Sequence, residues 1–380
     1  MLSIAVVGAG AIAHTHLEAF AKYPDLCRIV AVCDKCPEKA ERLIEELGLQ
    51  TQVFSSLEEA AQSVQIDAVS LCLPPALHAR EAVWALEHNM HVLVEKPMAN
   101  SLEECDRMIA AAEASGRILS VVCQLRFTTP VQRVRRLLAE GDLSPVRYAV
   151  VNSLWWRGEH YHDAAWRGTW RSEGGGVLTV QAIHHLDMLQ YLIGMPRRIT
   201  ATMGNVGHGN TQCEDVAGAA FEYDDKFAQV TASLVAHGEQ QEICLYTDEA
   251  ALSIPWQVNA SRAMPNGYPE HAADEEQRLQ EAFLAIPPLK VEHHAAQIGN
   301  FLRACAGQEA LQVDGREGRK PVELTTAIYK SATLHQPVEL PISASDPFYT
   351  LDGKVENLPH FHEKYRSVSQ MAEGAITFAR

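Results

Sequence analysis

The segment VVGAGAIA at residues 6–13 joins a short apolar run to a stretch with a helical pattern. Its GxGxxA spacing predicts a tight turn between a buried strand and a helix, where backbone N–H groups face a pyrophosphate. The first glycine permits the turn, the second lets phosphate approach, and the alanine keeps helix and strand close. We therefore expect the following residues to hold the phosphates: Gly8, Gly10, Ala11, Ile12 and Ala13.

The residue after the second apolar run indicates which dinucleotide is preferred. Asp34 follows the glycine loop by about 20 residues, where a carboxylate accepts hydrogen bonds from ribose hydroxyls. That carboxylate also repels a 2′-phosphate, which favours NAD over NADP. Lys35 is adjacent and could offset the repulsion, which leaves NADP open as an alternative.

Short apolar runs alternate with helical patterns in the first third of the chain, which is typical of βαβ units. The runs are apolar on both faces, as in a covered parallel sheet. They lie at 4–7, 29–33, 68–73, 91–94 and 118–123. Capping boxes at Ser56 with Glu59 and at Ser101 with Glu104 predict two helix starts.

After Arg126 the pattern changes to longer alternating segments, which predict an antiparallel sheet. They lie at 146–156, 198–203, 217–222, 227–236 and 242–246, with helices expected near 130–141, 181–193, 292–307 and 320–335. We expect helices to cover one face of this sheet and another subunit the other. The chain then divides into a dinucleotide-binding domain (1–124), a substrate and oligomerisation domain (125–344) and a tail (345–380), which could be an arm, a flap or a loosely attached end.

Composition limits the class of protein. The 380 residues carry a formal net charge of −16, which argues against a nucleic-acid binder. There is neither an 18-residue apolar run nor a basic leader, so we expect no membrane span and no signal peptide. Nine cysteines favour free thiols in a reducing cytoplasm. Cys33 and Cys36 have CxxC spacing, but no second pair completes a zinc site, and we expect no metal.

Lys96 lies in the segment VEKP at the carboxyl end of the fifth strand, the edge at which open α/β sheets bind ligands. A partly buried lysine there has a depressed pKa and can exchange a proton near neutrality. By residue chemistry alone, an ion pair of Glu95 with Lys96 is an equally open interpretation.

Several segments together resemble the glucose–fructose oxidoreductase and inositol dehydrogenase (Gfo/Idh/MocA) family over about residues 2–341. They are GAGAIA (8–13), Asp34, LPPALH (73–78), HVLVEKPMA (91–99), GGGVLTVQAIHHLD (174–187), Glu214-Asp215 and VEHHAAQIGNFLRACAG (291–307). The resemblance implies an α/β chain: a doubly wound parallel Rossmann sheet, then an α+β domain with a large, mostly antiparallel open sheet. It also implies homodimers or homotetramers formed through that sheet, and sugar or cyclitol substrates.

Site residues follow from the same resemblance. It implies that Lys96 touches substrate and cofactor and that His184 is the catalytic histidine, with His185 as scaffold. Many relatives carry Asp or Asn where this chain has Val180, so His184 is either oriented by another group, such as Gln181 three residues before it, or works with less support. The residues expected beside the cofactor are Leu73, Pro74, Pro75, His78, Glu95, Lys96 and Gln124.

The segment WWRGEHYHDAAWRGTW (155–170) resembles the family's sugar 3-dehydrogenase branch. Aromatic rings stack on sugar C–H surfaces, and arginines donate to hydroxyls or carboxylates. Trp155 and Trp170 are expected in the core. His160, His162 and His184 could suggest a metal, but no carboxylate spacing completes a site. The candidate substrate ligands are Lys96, Arg126, Arg157, Tyr161, Trp166, Arg167, Gln181, His184 and His294.

The resulting hypothesis is hydride transfer between nicotinamide and a hydroxyl-bearing carbon of a sugar, glycoside or cyclitol, with His184 as acid/base and Lys96 as its electrostatic partner. Two alternatives stay open. One is redox-assisted glycoside cleavage, which needs a further base such as Tyr161 or His162. The other is a non-catalytic NAD-linked sensor.

Overall fold

The protein is described by a computed structural model that covers residues 1–368. Its first sheet is built from β1 (Leu2–Val7), β2 (Cys27–Cys33), β3 (Gln52–Phe54), β4 (Ala68–Leu71), β5 (His91–Val94) and β6 (Leu119–Val121). The helices between these strands are α1 (Ala11–Ala21), α2 (Pro37–Leu47), α3 (Leu57–Ser63), α4 (Pro75–Glu87) and α5 (Leu102–Ser115).

These six strands are parallel, in the order β3-β2-β1-β4-β5-β6. The order reverses between β1 and β4, which opens a crevice at their carboxyl ends. The doubly wound sheet predicted from the sequence is therefore confirmed. Both capping boxes also form, since Ser56 accepts from the Glu59 N–H and Ser101 from the Glu104 N–H. Strand β3 was not predicted, because three residues are too few for a periodic pattern.

The second sheet has nine strands within residues 1–368. They are β7 (Val146–Trp156), β8 (Arg198–Gly204), β9 (Val216–Glu222), β10 (Phe227–Ser233), β11 (Val235–Thr247), β12 (Ala250–Ile254), β13 (Gln257–Ala263), β14 (Pro269–His271) and β15 (Val338–Glu339). Their order is β14-β13-β12-β11-β7-β10-β9-β8-β15, with one parallel pair, β10 with β7. The mostly antiparallel sheet is thus confirmed, although β12 to β14 and the helix after them were not predicted.

The helices of the second half lie on one face of this sheet or return to the first. They are α6 (Thr129–Glu140), α7 (Ile183–Ile193), α8 (Ala273–Ala285), α9 (His293–Cys305), α10 (Gly315–Leu334) and α11 (Leu351–Asn357). Helix α9 packs on α1, where the Tyr23 hydroxyl donates to the Ala295 carbonyl at 2.7 Å. Helix α9 therefore belongs to the core of the first sheet, although the predicted bounds assigned its residues to the second domain.

The last described residues are attached to the chain's own surface. Trp170 donates its indole N–H to the Pro359 carbonyl at 2.9 Å, and the Val368 N–H donates to the Asp163 carbonyl at 2.8 Å. Up to residue 368 the predicted tail is thus bound to the segment that carries the substrate candidates, and the rest of it lies outside the described residues. Among the helices of residues 1–368, none combines the length and the apolarity that crossing a bilayer requires.

Substituting the two loop glycines should have different effects on stability. Gly8 has φ +96°, and a Cβ there would lie 2.3 Å from the Cys72 carbonyl oxygen, so Gly8→Ala should lower the unfolding free energy by more than about 2 kcal/mol. Gly10 has φ −80° with no atom within 4 Å of a Cβ, so Gly10→Ala should melt like the wild type. Thermal melts of both variants test this pair, and equal melting temperatures would contradict it.

Candidate functional site

The loop after β1 has the shape that a bound diphosphate requires. Gly8 packs against the end of β4, Ala13 is fully buried under the sheet, and Gly10 begins α1 with open space above its backbone. No side chain caps the start of α1, and its first turn carries no acidic residue. The free N–H groups of Ala11 and Ile12 thus remain available to an anion, so the loop fits the expected dinucleotide.

Asp34 lies where the sequence pattern predicted a ribose contact. Its carboxylate accepts from the Ala9 N–H and from the Cys36 N–H, both at 2.8 Å, which ties the end of β2 to the glycine loop. Lys35 is exposed beside it. Cys36 is exposed and Cys33 is buried, and both are free thiols.

The loop after β4 is held by a buried histidine. The two ring nitrogens of His78 lie 2.8 Å from the carbonyl oxygens of Leu73 and Pro97, and burial lowers the pKa of His78. These contacts join the Leu73-Pro74-Pro75 turn to the residue after Lys96, so His78 fixes the positions of two segments that are expected to border the cofactor. Gln124, at the end of β6, has a buried amide oxygen that lacks a partner in residues 1–368.

Lys96 makes a contact that links the two sheets. Its Nζ donates to the backbone carbonyl of Val180 at 2.7 Å. Val180 lies in a π-helical turn, Leu178–Ala182, which directly precedes α7. Burial lowers the pKa of Lys96, and the nearby Glu95 carboxylate works in the opposite direction. The buried ammonium of Lys96 is therefore paired with a main-chain carbonyl and not with the side chain of residue 180.

His184 lines the same small cavity as Lys96, at the carboxyl ends of the parallel strands. Its ring is half-buried and hydrogen-bonds no group in residues 1–368. Burial, and then the nearby Lys96, hold the pKa of His184 well below its ordinary value. A neutral imidazole with an unpartnered nitrogen can accept a proton from a bound hydroxyl.

The neighbours of His184 have structural partners. His185 bonds the Ser153 hydroxyl of β7 at 2.9 Å, in agreement with its expected scaffold role. Gln181 donates from Nε2 to the Tyr161 hydroxyl at 2.7 Å, and its buried Oε1 has no partner among residues 1–368. Gln181 therefore does not orient His184, which corrects the expectation from the sequence, and instead connects the helix to the aromatic segment.

The three consecutive glycines, Gly174 to Gly176, pack closely against other parts of the chain. A Cβ on Gly176 would lie 1.8 Å from the Glu214 carbonyl oxygen, so the close approach there is to the chain itself. The buried Glu214 carboxylate accepts from the Gly176 and Leu178 N–H groups and from the Tyr329 hydroxyl, all at 3.0 Å. Burial raises the pKa of Glu214 to about 7. Glu214 thereby holds the start of the π-helical turn.

Arg126 is not free for a ligand. Its guanidinium is 2 % exposed and binds Asp187 through two contacts of 2.6 and 2.9 Å and Glu317 through one of 2.9 Å. The expected role of Arg126 as a substrate ligand is thus corrected to a buried ion pair that joins the segment after β6 to α7 and α10. The sequence offered one signal, Asp187 on the histidine helix.

His294 lies beside the strand that ends in Lys96. Its Nε2 is 3.4 Å from Glu95 Oε1, and the buried His16 contacts the same oxygen at 2.9 Å. These hydrogen bonds lower the pKa of Glu95 well below its ordinary value, against the effect of burial. The potential ligand atoms of the three residues lie within 4.8 Å of one another, a spacing that a metal could use. His16 was missed, because its only sequence signal is a histidine on α1.

In the aromatic segment (155–170), both candidate arginines lie over the ring of Tyr161. The guanidinium of Arg167 lies 4.0 Å from the Tyr161 ring centre and 4.2 Å from that of Trp166, and Arg157 lies 5.7 Å from Tyr161. Trp170 is buried against Tyr329, as expected of a core residue. His160 contacts Asp163 at 3.0 Å.

Comparisons with known proteins agree with this architecture. Residues 2–123 match the model described as the oxidoreductase family's NAD-binding Rossmann fold (GFO_IDH_MocA), and residues 131–253 match a GFO/IDH/MocA C-terminal domain. The chain is 27% identical to the D-glucoside 3-dehydrogenase of Escherichia coli over 89% of this chain and 97% of that protein.

Other similar proteins include a hydratase, an oxidoreductase and a further dehydrogenase. The chain is 32% identical to a 2,7-anhydro-N-acetylneuraminate hydratase of Mediterraneibacter gnavus, over 54% of this chain and 53% of that one. It matches about half the length of that relative and of a similar streptococcal oxidoreductase. The WlbA dehydrogenase of Chromobacterium violaceum, solved with NADH and UDP-GlcNAcA, superposes with a TM-score of 0.77 at 27% identity, covering 90% of this chain and 96% of that one.

The carboxylate of Asp34 should control which cofactor is used. Asp34→Ser removes the charge that repels a 2′-phosphate, so the ratio of NADH to NADPH affinity should fall by about tenfold or more. Fluorescence titration with both reduced cofactors measures it, with Asp25→Ser on the exposed loop before β2 as a matched control. An unchanged ratio would remove Asp34 from cofactor selection.

Proposed function

The chain belongs to the Gfo/Idh/MocA oxidoreductase family, and from that premise we propose that it is an NAD-dependent dehydrogenase acting at C3 of a pyranose sugar or glycoside. The observation that carries the proposal is the placement of Lys96 and His184 in one cavity at the carboxyl ends of the strands. The end-to-end similarity to D-glucoside 3-dehydrogenase supports C3 as the carbon.

The chain's own residues would bind the cofactor through the loop after β1. The N–H groups at the start of α1 would hold the diphosphate, and the Asp34 carboxylate would hold the ribose hydroxyls. The Leu73-Pro74-Pro75 turn and Gln124 border the path toward Lys96. When bound, the nicotinamide supplies the acceptor for the hydride that leaves the substrate carbon.

His184 takes the proton of the reacting hydroxyl as hydride leaves the carbon. Its lowered pKa keeps the ring neutral near pH 7, and its nitrogens are unpartnered within residues 1–368. The alcohol thereby loses a hydride and a proton and becomes a carbonyl. The reverse reaction returns the proton from the same nitrogen.

Lys96 stabilises the developing negative charge on the substrate oxygen. Its ammonium has three N–H donors, of which one is used on the Val180 carbonyl, and the others can point to the substrate and the cofactor. Because the Val180 carbonyl is neutral, it fixes the position of the ammonium without cancelling its charge.

Redox-assisted glycoside cleavage is supported by one observation. His162 is buried with both ring nitrogens unpartnered in residues 1–368, and burial lowers its pKa to about 3. The ring packs edge-on against the Tyr161 ring with centres 5.2 Å apart, which places an imidazole that hydrogen-bonds no described residue beside the candidate sugar site. Release of the aglycone without net NADH formation would favour this second reaction over simple oxidation.

Assembly and location are part of the proposal. Tyr148, Phe227 and Tyr246 stack on the uncovered face of the second sheet, and two of them are 40% exposed. This aromatic face supports a homodimer or homotetramer. Nine free cysteines support a reducing cytoplasm.

Removing either cavity group should abolish most turnover. With a panel of pyranosides and NAD, Lys96→Ala and His184→Asn should each lower kcat by about 10²-fold or more, because each removes transition-state stabilisation or proton transfer. The exposed Lys22→Ala and His88→Asn serve as controls and should retain activity. Product analysis locates the carbonyl carbon. Near-normal turnover by Lys96→Ala would overturn the assignment.

A carboxylate at position 180 should move the pH profile upward. Activity requires a protonated Lys96, so it is lost as the pH rises through the lysine pKa, which burial places below its ordinary value. Val180→Asp adds an opposite charge that raises this pKa, so the alkaline limb of kcat should shift to higher pH. Val180→Thr keeps the carbonyl and adds no charge, so its limb should not move. An identical alkaline limb in all three proteins would contradict the role of Lys96.

A further inference from the structure

The two arginines of the aromatic segment are already paired with carboxylates of the chain itself. Arg167 contacts the fully buried Glu173 at 2.7 Å, and Glu173 also accepts from the Gly168 N–H at 2.6 Å. Arg157 contacts Glu239 at 2.7 Å, with both side chains about one-fifth exposed. Neither guanidinium is therefore free to bind an acidic ligand without leaving a buried or half-buried carboxylate unpaired.

These ion pairs lie beside the reaction cavity. Both guanidinium groups contact the Tyr161 ring, and the Tyr161 hydroxyl accepts from Gln181. Gln181 directly follows Val180, whose carbonyl binds Lys96. Arg167 and Glu173 are also close enough to affect the pKa of Lys96, in opposite directions. A substrate held by Lys96 and His184 would thus lie next to a wall formed by two ion pairs, Arg157 with Glu239 and Arg167 with Glu173, in which each positive charge is balanced by a carboxylate.

Beside this wall, the side-chain atoms that have no hydrogen-bond partner within residues 1–368 belong to neutral groups. They include the buried Oε1 of Gln181, both ring nitrogens of His162 and the ring of His184. An acceptor oxygen and a neutral imidazole suit hydroxyl groups, which can both donate and accept. A carboxylate or phosphate only accepts at neutral pH, so it would face the Gln181 oxygen with no donor and lie close to Glu173.

We propose that this site selects uncharged sugars and glycosides, and that Glu173 and Glu239 exclude uronates and phosphosugars by holding Arg167 and Arg157 in internal ion pairs. The inference rests on the proposed function for the identity of the reaction site. Specificity here comes from a repulsive element as well as an attractive one. The two carboxylates fix the positions of the arginines and balance their charge. The flat faces of the guanidinium groups remain in contact with the Tyr161 ring.

The test compares neutral and acidic members of matched pairs. Methyl glucoside is paired with methyl glucuronoside, and methyl galactoside with methyl galacturonoside. Each is titrated into the full-length protein saturated with NADH, by calorimetry, and each is assayed separately for turnover with NAD. We expect the wild type to bind the neutral member of at least one pair about 100-fold more tightly than its acidic counterpart, the cost of an unpaired charge near a buried carboxylate.

Two variants test the cause of the selectivity. Glu239→Gln and Glu173→Gln release Arg157 and Arg167, so each should reduce the neutral-to-acidic affinity ratio by about tenfold or more. Glu222→Gln, which lies outside this wall and pairs with Arg198, should leave the ratio unchanged. Glu239 is partly exposed, so its variant keeps the test decisive if Glu173→Gln does not fold.

The outcomes separate the two proposals. A wild type that fails to favour the neutral sugar in both pairs overturns the selectivity, as does an unchanged ratio in Glu239→Gln. If the neutral sugar binds selectively but no NADH forms and no aglycone is released, the selectivity stands and the proposed dehydrogenase function fails. If NADH forms with acidic sugars as fast as with neutral ones, the dehydrogenase function stands and the selectivity fails.

Discussion

The hydrogen bond from Lys96 to the Val180 carbonyl is the contact on which the arrangement of the site depends. It joins the end of β5, in the parallel sheet, to the π-helical turn that precedes α7 on the second sheet. A buried ammonium must have a partner, because an unpaired charge in a protein interior is strongly unfavourable. A π-helical turn changes the usual helical hydrogen-bond pattern and makes this carbonyl available to the lysine.

Both ends of that contact are braced by buried carboxylates. Below Lys96, Glu95 is held by His16 and His294. Above Val180, Glu214 accepts from two N–H groups at the start of the turn and from Tyr329 on α10. Acidic groups near the cavity thus have internal partners, including Asp187 of the cavity lining, which pairs with Arg126. Within residues 1–368, by contrast, the neutral His184 has no partner and Lys96 has a neutral acceptor. This separation leaves the lysine's positive charge available to a developing alkoxide.

Much of the fold could be predicted from the sequence, because its signals are local. The GxGxxA loop, the two-face apolar strands and the capping boxes each depend on residues within a few positions of one another. Resemblance to relatives then pointed to Lys96 and His184, which the structure brings into one cavity. The role expected for Gln181 was not confirmed, because helical spacing does not show that a neighbouring tyrosine will compete for its amide.

The sequence by itself determined the parallel sheet, most strands of the second sheet and the glycine loop, since periodicity and short motifs encode them, whereas the two cavity groups were implied by the resemblance to relatives. Only the tertiary structure decided which partner each charged group takes. Arg126 pairs with Asp187 and Glu317, and Arg167 pairs with Glu173. The acceptor of Lys96 is a main-chain atom, which no side-chain pattern can reveal. The physical reason is that a buried charge takes the nearest geometrically suitable partner, and long-range packing sets that distance.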